Sequence, residues 1–150
     1  MFWGGISLEG RTELVALREG NVNAIRYISH ILEPHVVPYA ENFGADFILM
    51  QDNARPHTAR VTQNCLRREN IETMNWPANS PDLNPIEHVW DMMSRHFRVL
   101  PNPPNDLDGL TVAISEIWND IEQGDIRRLI LSMRRRCEAV IRARGGNTRY

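Results

Sequence analysis

The apolar run Phe47-Ile48-Leu49-Met50 stops at Gln51-Asp52-Asn53, and this junction constrains the fold more than any other stretch of the chain. A short continuous apolar run bounded by turn-forming residues suits a buried strand. Pro56 then fits the first turn of a helix running to about Arg68, because proline's missing N–H is not needed there. Ile71–Trp76 reads as a second strand. Strand, helix and strand in succession predict a mixed α/β fold. Asp52 falls at the carboxyl end of the first strand, where open α/β sheets place ligand sites. Aspartate is also a common turn former, so the position alone serves either role.

The flanking segments extend this pattern. Phe2–Ser7 and Arg11–Leu17, joined by Leu8-Glu9-Gly10, predict a hairpin. Asn23 suits the cap of a helix with Ile25, Ile28, Ile31 and Leu32 on one face, which Pro34 and Pro38 are expected to break or restart. Gly44 suits its C-terminal cap. Pro77–Leu83 is turn-rich, and a helix from Pro85 to about Phe97 carries Ile86, Val89, Trp90, Met93 and Phe97 on one face. Three prolines make Val99–Asn105 a loop. Leu110, Ala113, Ile114, Ile117, Trp118 and Ile121 form a helical stripe that Gly124 interrupts. Asp125 is placed to cap one further helix, with Ile126, Leu129, Ile130, Met133, Cys137 and Val140 inward and its arginines largely outside. Gly145-Gly146 ends that helix before a loose tail. At 150 residues the chain reads as one domain, with a sheet-and-motif region over 1–97 and C-terminal helices over 106–146.

A net charge of −2 excludes a uniformly basic nucleic-acid binder, but the charge is unevenly spread. Between Ile126 and Tyr150, eight arginines face one acid, Glu138. Lysine is absent, and all 17 basic residues are arginine, whose planar fork matches phosphate oxygens. Arg127, Arg128, Arg134, Arg135, Arg136, Arg142 and Arg144 are therefore candidate DNA contacts, although such a run also suits a solvated helix face. No apolar stretch is long enough for a membrane span, and the first residues lack a secretory pattern. Cys65 and Cys137 have no metal-type spacing and read as buried, reduced thiols of an intracellular protein.

A second carboxylate stands out at Glu87, separated from Asp52 by 34 residues. Asn84, Pro85 and Glu87 match an N-cap, a first-position proline and a third-position acid, so a capping role is open. Glu87 also lies on the flank of the apolar stripe, where a carboxylate can meet a metal while its stem stays packed. Asp91 on the same flank reads as solvated or salt-bridged. Magnesium prefers oxygen ligands, so His57 reads as a structural hydrogen-bonding residue or a DNA contact. His88 is open to similar readings. No glycine-rich phosphate loop or nucleophile elbow occurs.

Together the motifs are similar to those of one family. Gln51-Asp52-Asn53-Ala54-Arg55-Pro56-His57-Thr58-Ala59 resembles the second-aspartate motif of mariner-like DDE transposases, and Asn79-Ser80-Pro81-Asp82-Leu83-Asn84-Pro85-Ile86-Glu87-His88-Val89-Trp90 resembles their final-acid motif. Phe2-Trp3-Gly4-Gly5-Ile6-Ser7 resembles a core strand, and Arg135-Arg136-Cys137 with Ala143-Arg144-Gly145-Gly146 resembles the C-terminal end. The resemblance implies a ribonuclease H-like fold in which Asp52 and Glu87 each hold Mg²⁺ (or Mn²⁺) for two-metal cleavage and joining of DNA strands. It implies transposon ends and target DNA as partners, possible pairing with another copy or a full-length transposase, and action in the nucleus if the source is eukaryotic. The family's first aspartate and its helix-turn-helix module lie upstream of the position matching Met1, and no residue here matches that aspartate. The expectation is therefore the C-terminal part of a catalytic domain, with its central strand missing from the sheet, weak metal binding and no activity alone. A non-enzymatic nucleic-acid-binding or oligomerisation remnant is the alternative. The carboxyl groups of Asp52 and Glu87 are expected within about 4–8 Å of each other.

Overall fold

The computed structural model describes all residues except Glu19, Asn79, Asn147, Arg149 and Tyr150, and the side chain of Asp82. Most of the expected tail after Gly146 thus lies outside the described residues. The chain forms two compact units: Met1–Gly5 with Thr12–Asn79, and Ile6–Arg11 with Ser80–Tyr150.

In the first unit, β1 (Phe2–Trp3) and β2 (Val15–Ala16) pair antiparallel, with Phe2 opposite Ala16 and Trp3 opposite Val15. Gly5 N–H donates to Thr12 Oγ1 at 2.8 Å, and a Cβ on Gly5 would lie 3.1 Å from Thr12 Cγ2. Glycine permits this close approach without displacing the threonine. Asn23 caps α1 (Ala24–Tyr27) by accepting from the Arg26 N–H at 3.0 Å. At Pro34 the helix does not break, and at Pro38 it restarts as expected, that proline standing in the first turn of the next α segment. In α geometry the Pro34 ring would collide with the His30 carbonyl. The helix instead widens to π-type turns over Ile28–Val36 and returns to α geometry in α2 (Val37–Glu41). The wider turns set the inward residues four and five apart: Tyr27, Ile31, Leu32, Val36 and Ala40 are buried. Ile25, expected inward, is 63% exposed. Gly44, at φ +60°, turns the chain after α2.

β3 (Ile48–Leu49) pairs parallel with β4 (Glu72–Thr73), and α3 (Arg55–Thr58) and α4 (Arg60–Arg68) lie between them in sequence. Ala59 leaves helical geometry at ψ 140°. The carbonyls near this break are satisfied from α4: the hydroxyl of fully buried Thr62 donates to Pro56 O at 2.6 Å, and Gln63 Nε2 donates to His57 O at 2.8 Å. Phe47 and Leu49 pack on the core, whereas Ile48 is 49% exposed. The predicted strand is real, but alternation sends its middle residue to the opposite face. Among the described residues the strands form two separate two-stranded pairs, in keeping with the expected incomplete sheet.

In the second unit, α5 (Pro85–Arg98) buries Val89 and Met93 as its stripe predicts. Asn84 holds the N-cap conformation but makes no side-chain capping bond. α6 (Leu107–Asp120) is capped by Asp106, whose Oδ1 accepts from the Gly109 N–H at 2.7 Å. Its Trp118 is buried and stacks on Trp90 with ring centroids 5.5 Å apart. α7 (Gln123–Leu131) starts after Glu122, so Gly124 and Asp125 fall inside its first turn rather than before it. The single C-terminal helix expected from the sequence is two: Ser132 ends α7, its hydroxyl donating to Leu129 O at 2.7 Å, and α8 (Met133–Arg142) follows. The break rotates the inward face of α8. Cys137 is exposed and Arg136 is only 5% exposed, the reverse of the expected placement.

The hairpin tip belongs to this unit and terminates α6. Arg11 Nη1 donates to the carbonyls of Trp118 and Ile121, both at 2.7 Å, and its Nη2 donates to Asn119 O at 2.8 Å. The final carbonyls of a helix lack internal partners and carry its negative dipole end, so a guanidinium there supplies both hydrogen bonds and charge. Gln123 Nε2 donates to Ser7 O at 3.0 Å, and Arg127 Nε and Nη2 donate to Leu8 O at 3.2 and 3.1 Å. Replacing Arg11 with alanine should lower unfolding free energy by about 2 kcal/mol, since charge-assisted hydrogen bonds contribute about 1.5–3 kcal/mol. Arg11→Lys should recover less than half of this, because one ammonium cannot span three carbonyls. Urea denaturation of the three proteins measures the difference, and equal stability of wild type and Arg11→Ala would rule out the cap.

Candidate active site

Asp52 stands just beyond β3 at its C-terminal end, with a side chain 55% exposed. Its Oδ1 accepts the Ala54 N–H at 2.9 Å and lies 2.7 Å from His57 Nδ1. The contact with His57 is a hydrogen bond in the tautomer that carries a proton on Nδ1, since a carboxylate oxygen only accepts. Both contacts use Oδ1. Among the described residues, Oδ2 takes no hydrogen bond. Pro56 stands in the first turn of α3, which brings His57 back toward Asp52, so the local sequence builds this contact. The imidazole packs on the Tyr27 ring, with centroids 4.5 Å apart, and the Tyr27 hydroxyl donates to Gln51 Oε1 at 2.8 Å. Burial, and secondarily the nearby Asp52 charge, push the Tyr27 phenol far above its ordinary range. It remains a donor throughout the physiological range. Asn53 Nδ2 donates to Trp76 O at 2.9 Å, which ties this block to the end of the Ile71–Trp76 segment.

His57 thus takes the hydrogen-bonding role that the sequence allowed. Tyr27 was missed. Its only sequence signal was an aromatic residue at helical spacing from Ile31, which ordinary core packing explains equally well.

Glu87 lies in the first turn of α5 and is exposed. An acid there is favoured by the positive end of the helix dipole. Asp91 pairs with Arg95 at 3.0 Å, the salt-bridged role expected of it. Asp52 belongs to the first unit and Glu87 to the second.

The seven candidate DNA-binding arginines have different surroundings. Arg127 is bonded to the Leu8 carbonyl, and Arg128 pairs with Asp125. Arg134 and Arg142 flank Glu138 at 3.2 and 4.0 Å. Arg135 and Arg144 are exposed, whereas Arg136 is buried. They do not form one uniform stripe.

Magnesium takes oxygen ligands and is commonly held by one or two carboxylates plus water and substrate phosphates. The Asp52 Oδ2 and the exposed Glu87 carboxylate fit that chemistry. Among the described residues, no three His, Cys, Asp or Glu side chains gather where they could hold one ion. No described helix is long and apolar enough to cross a membrane.

The model of the DDE superfamily endonuclease family matches residues 2–108. The Tcb2 transposase of Caenorhabditis briggsae is 35% identical over all of this chain and 54% of its own length. The Tc1 transposase of Caenorhabditis elegans is 36% identical over 81% of this chain and 44% of its own length. The chain therefore spans about half the length of these relatives. The Mos1 transposase catalytic domain, solved with raltegravir and Mg, shares the fold at a TM-score of 0.81 and 22% identity, covering 95% of this chain and 74% of that one. The ribonuclease H-like reading of the fold agrees with this likeness. The family match over most of the chain, together with the two acidic motifs, places it among the DDE superfamily endonucleases.

Proposed function

We propose that this chain is the C-terminal part of a transposase catalytic domain that cleaves DNA strands at element ends and joins them to target DNA. The observation that carries this reading is the Asp52 carboxylate. It sits at a strand end within a family motif, fixed through one oxygen and open at the other. Asp52 and Glu87 are the residues that would hold divalent ions. When bound, such ions supply Lewis-acid activation of water or a DNA 3′-hydroxyl and steady the leaving oxygen. The structures of Mos1 with Mg, and of its paired-end complex with Mn, support this choice of metal. Its strand transfer complex and pre-cleavage transpososome support DNA as partner. A protein of this kind acts in the nucleus of a eukaryotic cell.

A remnant that binds nucleic acid without cleaving it is the second reading. The observation favouring it is that three ligating side chains do not gather among the described residues. The 150-residue chain alone is expected to leave labelled element-end DNA intact in Mg²⁺ or Mn²⁺. Metal-dependent nicking that vanishes in Asp52→Ala would overturn that expectation.

If Asp52 and Glu87 each hold a divalent ion, Asp52→Asn and Glu87→Gln should each weaken Mn²⁺ binding, read by the electron paramagnetic resonance of free Mn²⁺. Unchanged affinity in either variant would remove that residue from the ligand set.

Phosphate binding should come from the exposed arginines. Replacing Arg134, Arg135 and Arg142 with alanine should flatten the salt dependence of DNA affinity by about 0.9 in log–log slope for each phosphate no longer neutralised. Arg136→Ala should lower stability and leave that slope unchanged. A fluorescence titration across salt concentrations reads both. An unchanged slope in the triple variant would make α8 a packing element only.

A further inference from the structure

The geometry points to His57 as a positioning residue that presents the Asp52 carboxylate to a divalent metal, itself braced by the buried Tyr27 ring. This rests on the proposed role of Asp52 as a metal ligand. It adds an assignment for a histidine that does not need to touch metal, water or DNA.

An exposed aspartate at a strand end can rotate about two side-chain bonds, and each ligand it offers must be frozen before it binds. Here the freezing is done in advance. The Ala54 N–H and the His57 Nδ1–H converge on Oδ1, at 2.9 and 2.7 Å. Two donors on one oxygen fix the carboxylate plane and leave Oδ2 as the free donor atom. A ring only 20% exposed, stacked 4.5 Å from Tyr27, has little freedom to turn away. Tyr27 is 2% exposed, lies in the core and is tethered through its hydroxyl to Gln51, the residue before Asp52. The brace therefore returns to the backbone that carries the carboxylate. Gln63, donating to the His57 carbonyl at 2.8 Å, holds the turn from the other side. Hydrogen bonds of this supporting kind commonly contribute tenfold or more to metal affinity.

The chemistry separates two roles for His57. As a ligand it would offer a bare ring nitrogen to the ion. As a positioning residue it keeps a proton on Nδ1 and directs it at Asp52. The packing also separates donor from shape. His57→Phe keeps a flat ring against Tyr27 and removes the donor. His57→Asn removes the ring but places an amide N–H close to the Nδ1 position.

Mn²⁺ titrations followed by electron paramagnetic resonance, on the 150-residue chain and its variants, test the assignment. His57→Phe should weaken Mn²⁺ binding about tenfold, and His57→Asn should restore it to within about threefold of wild type. Wild-type affinity in His57→Phe with a loss in His57→Asn would overturn it by showing a packing role alone, and equal losses in both variants would overturn it by showing that an N–H donor at the Nδ1 position does not restore binding. Asp52→Asn separates the two readings. If it leaves Mn²⁺ affinity unchanged, or if the wild type binds no Mn²⁺, the ligand role of Asp52 fails and this assignment with it. If Asp52→Asn abolishes binding while His57→Phe does not weaken it, only the positioning role fails. A metal-free measurement stands beside these and does not depend on any variant folding. Long-range ¹H–¹⁵N spectra of wild type should show His57 protonated at Nδ1 at neutral pH, and a ring protonated at Nε2 alone would overturn the assignment.

Discussion

The arrangement around Asp52 depends on one buried aromatic ring. Tyr27 occupies the first inward position of the long helix, and its face meets His57 while its hydroxyl meets Gln51. A phenol buried this deeply must satisfy its O–H, because an unpaired buried donor costs about 1–3 kcal/mol. Gln51 is the partner, and it directly precedes the candidate ligand. Helix, strand end and the turn of α3 are thereby held in one relation by a single side chain. The widened turns over Ile28–Val36 are part of the same solution. They carry the helix past Pro34 while keeping Tyr27, Ile31, Leu32 and Val36 facing the core.

In the second unit arginine has a structural role that its charge alone would not suggest. Arg11 closes the end of α6, and Arg127 holds the hairpin turn. Arg136 is packed inside. The guanidinium suits these places because its fork reaches several carbonyls at once and it is more weakly hydrated than an ammonium. A chain with no lysine places all its side-chain cations on that fork. The arginines left facing solvent on α8 are fewer than the charge run implied, and acids beside them neutralise part of their field.

Much of this was legible from residue order. The apolar run before Asp52, the proline after it, the stripes of α5 and α6 and the two acidic motifs each report a local pattern, and local patterns are what periodicity and turn chemistry encode. The errors have a common origin. Ile25 faces solvent because the helix changes pitch after Tyr27. Cys137 and Arg136 exchange places because Ser132 breaks a helix whose heptad-like spacing looked continuous. Ile48 is half exposed because one apolar run can serve two faces of a strand. A small shift in phase redirects every side chain that follows, and nothing in the local spacing announces it.

Residue order by itself determined the family, the mixed α/β class and the two carboxylates of interest, because short motifs survive as contiguous residues. Only the tertiary structure decided what surrounds Asp52. Tyr27 stands 24 residues before Gln51, and no periodicity links a helical tyrosine to a strand-end glutamine or to the imidazole at position 57. Their meeting is set by how the helix packs over the strand. The same holds for Arg11, whose three carbonyl partners lie more than 100 residues away. Hydrogen bonds across such separations depend on the packed core to bring donor and acceptor within 3 Å, and sequence spacing carries no record of that distance.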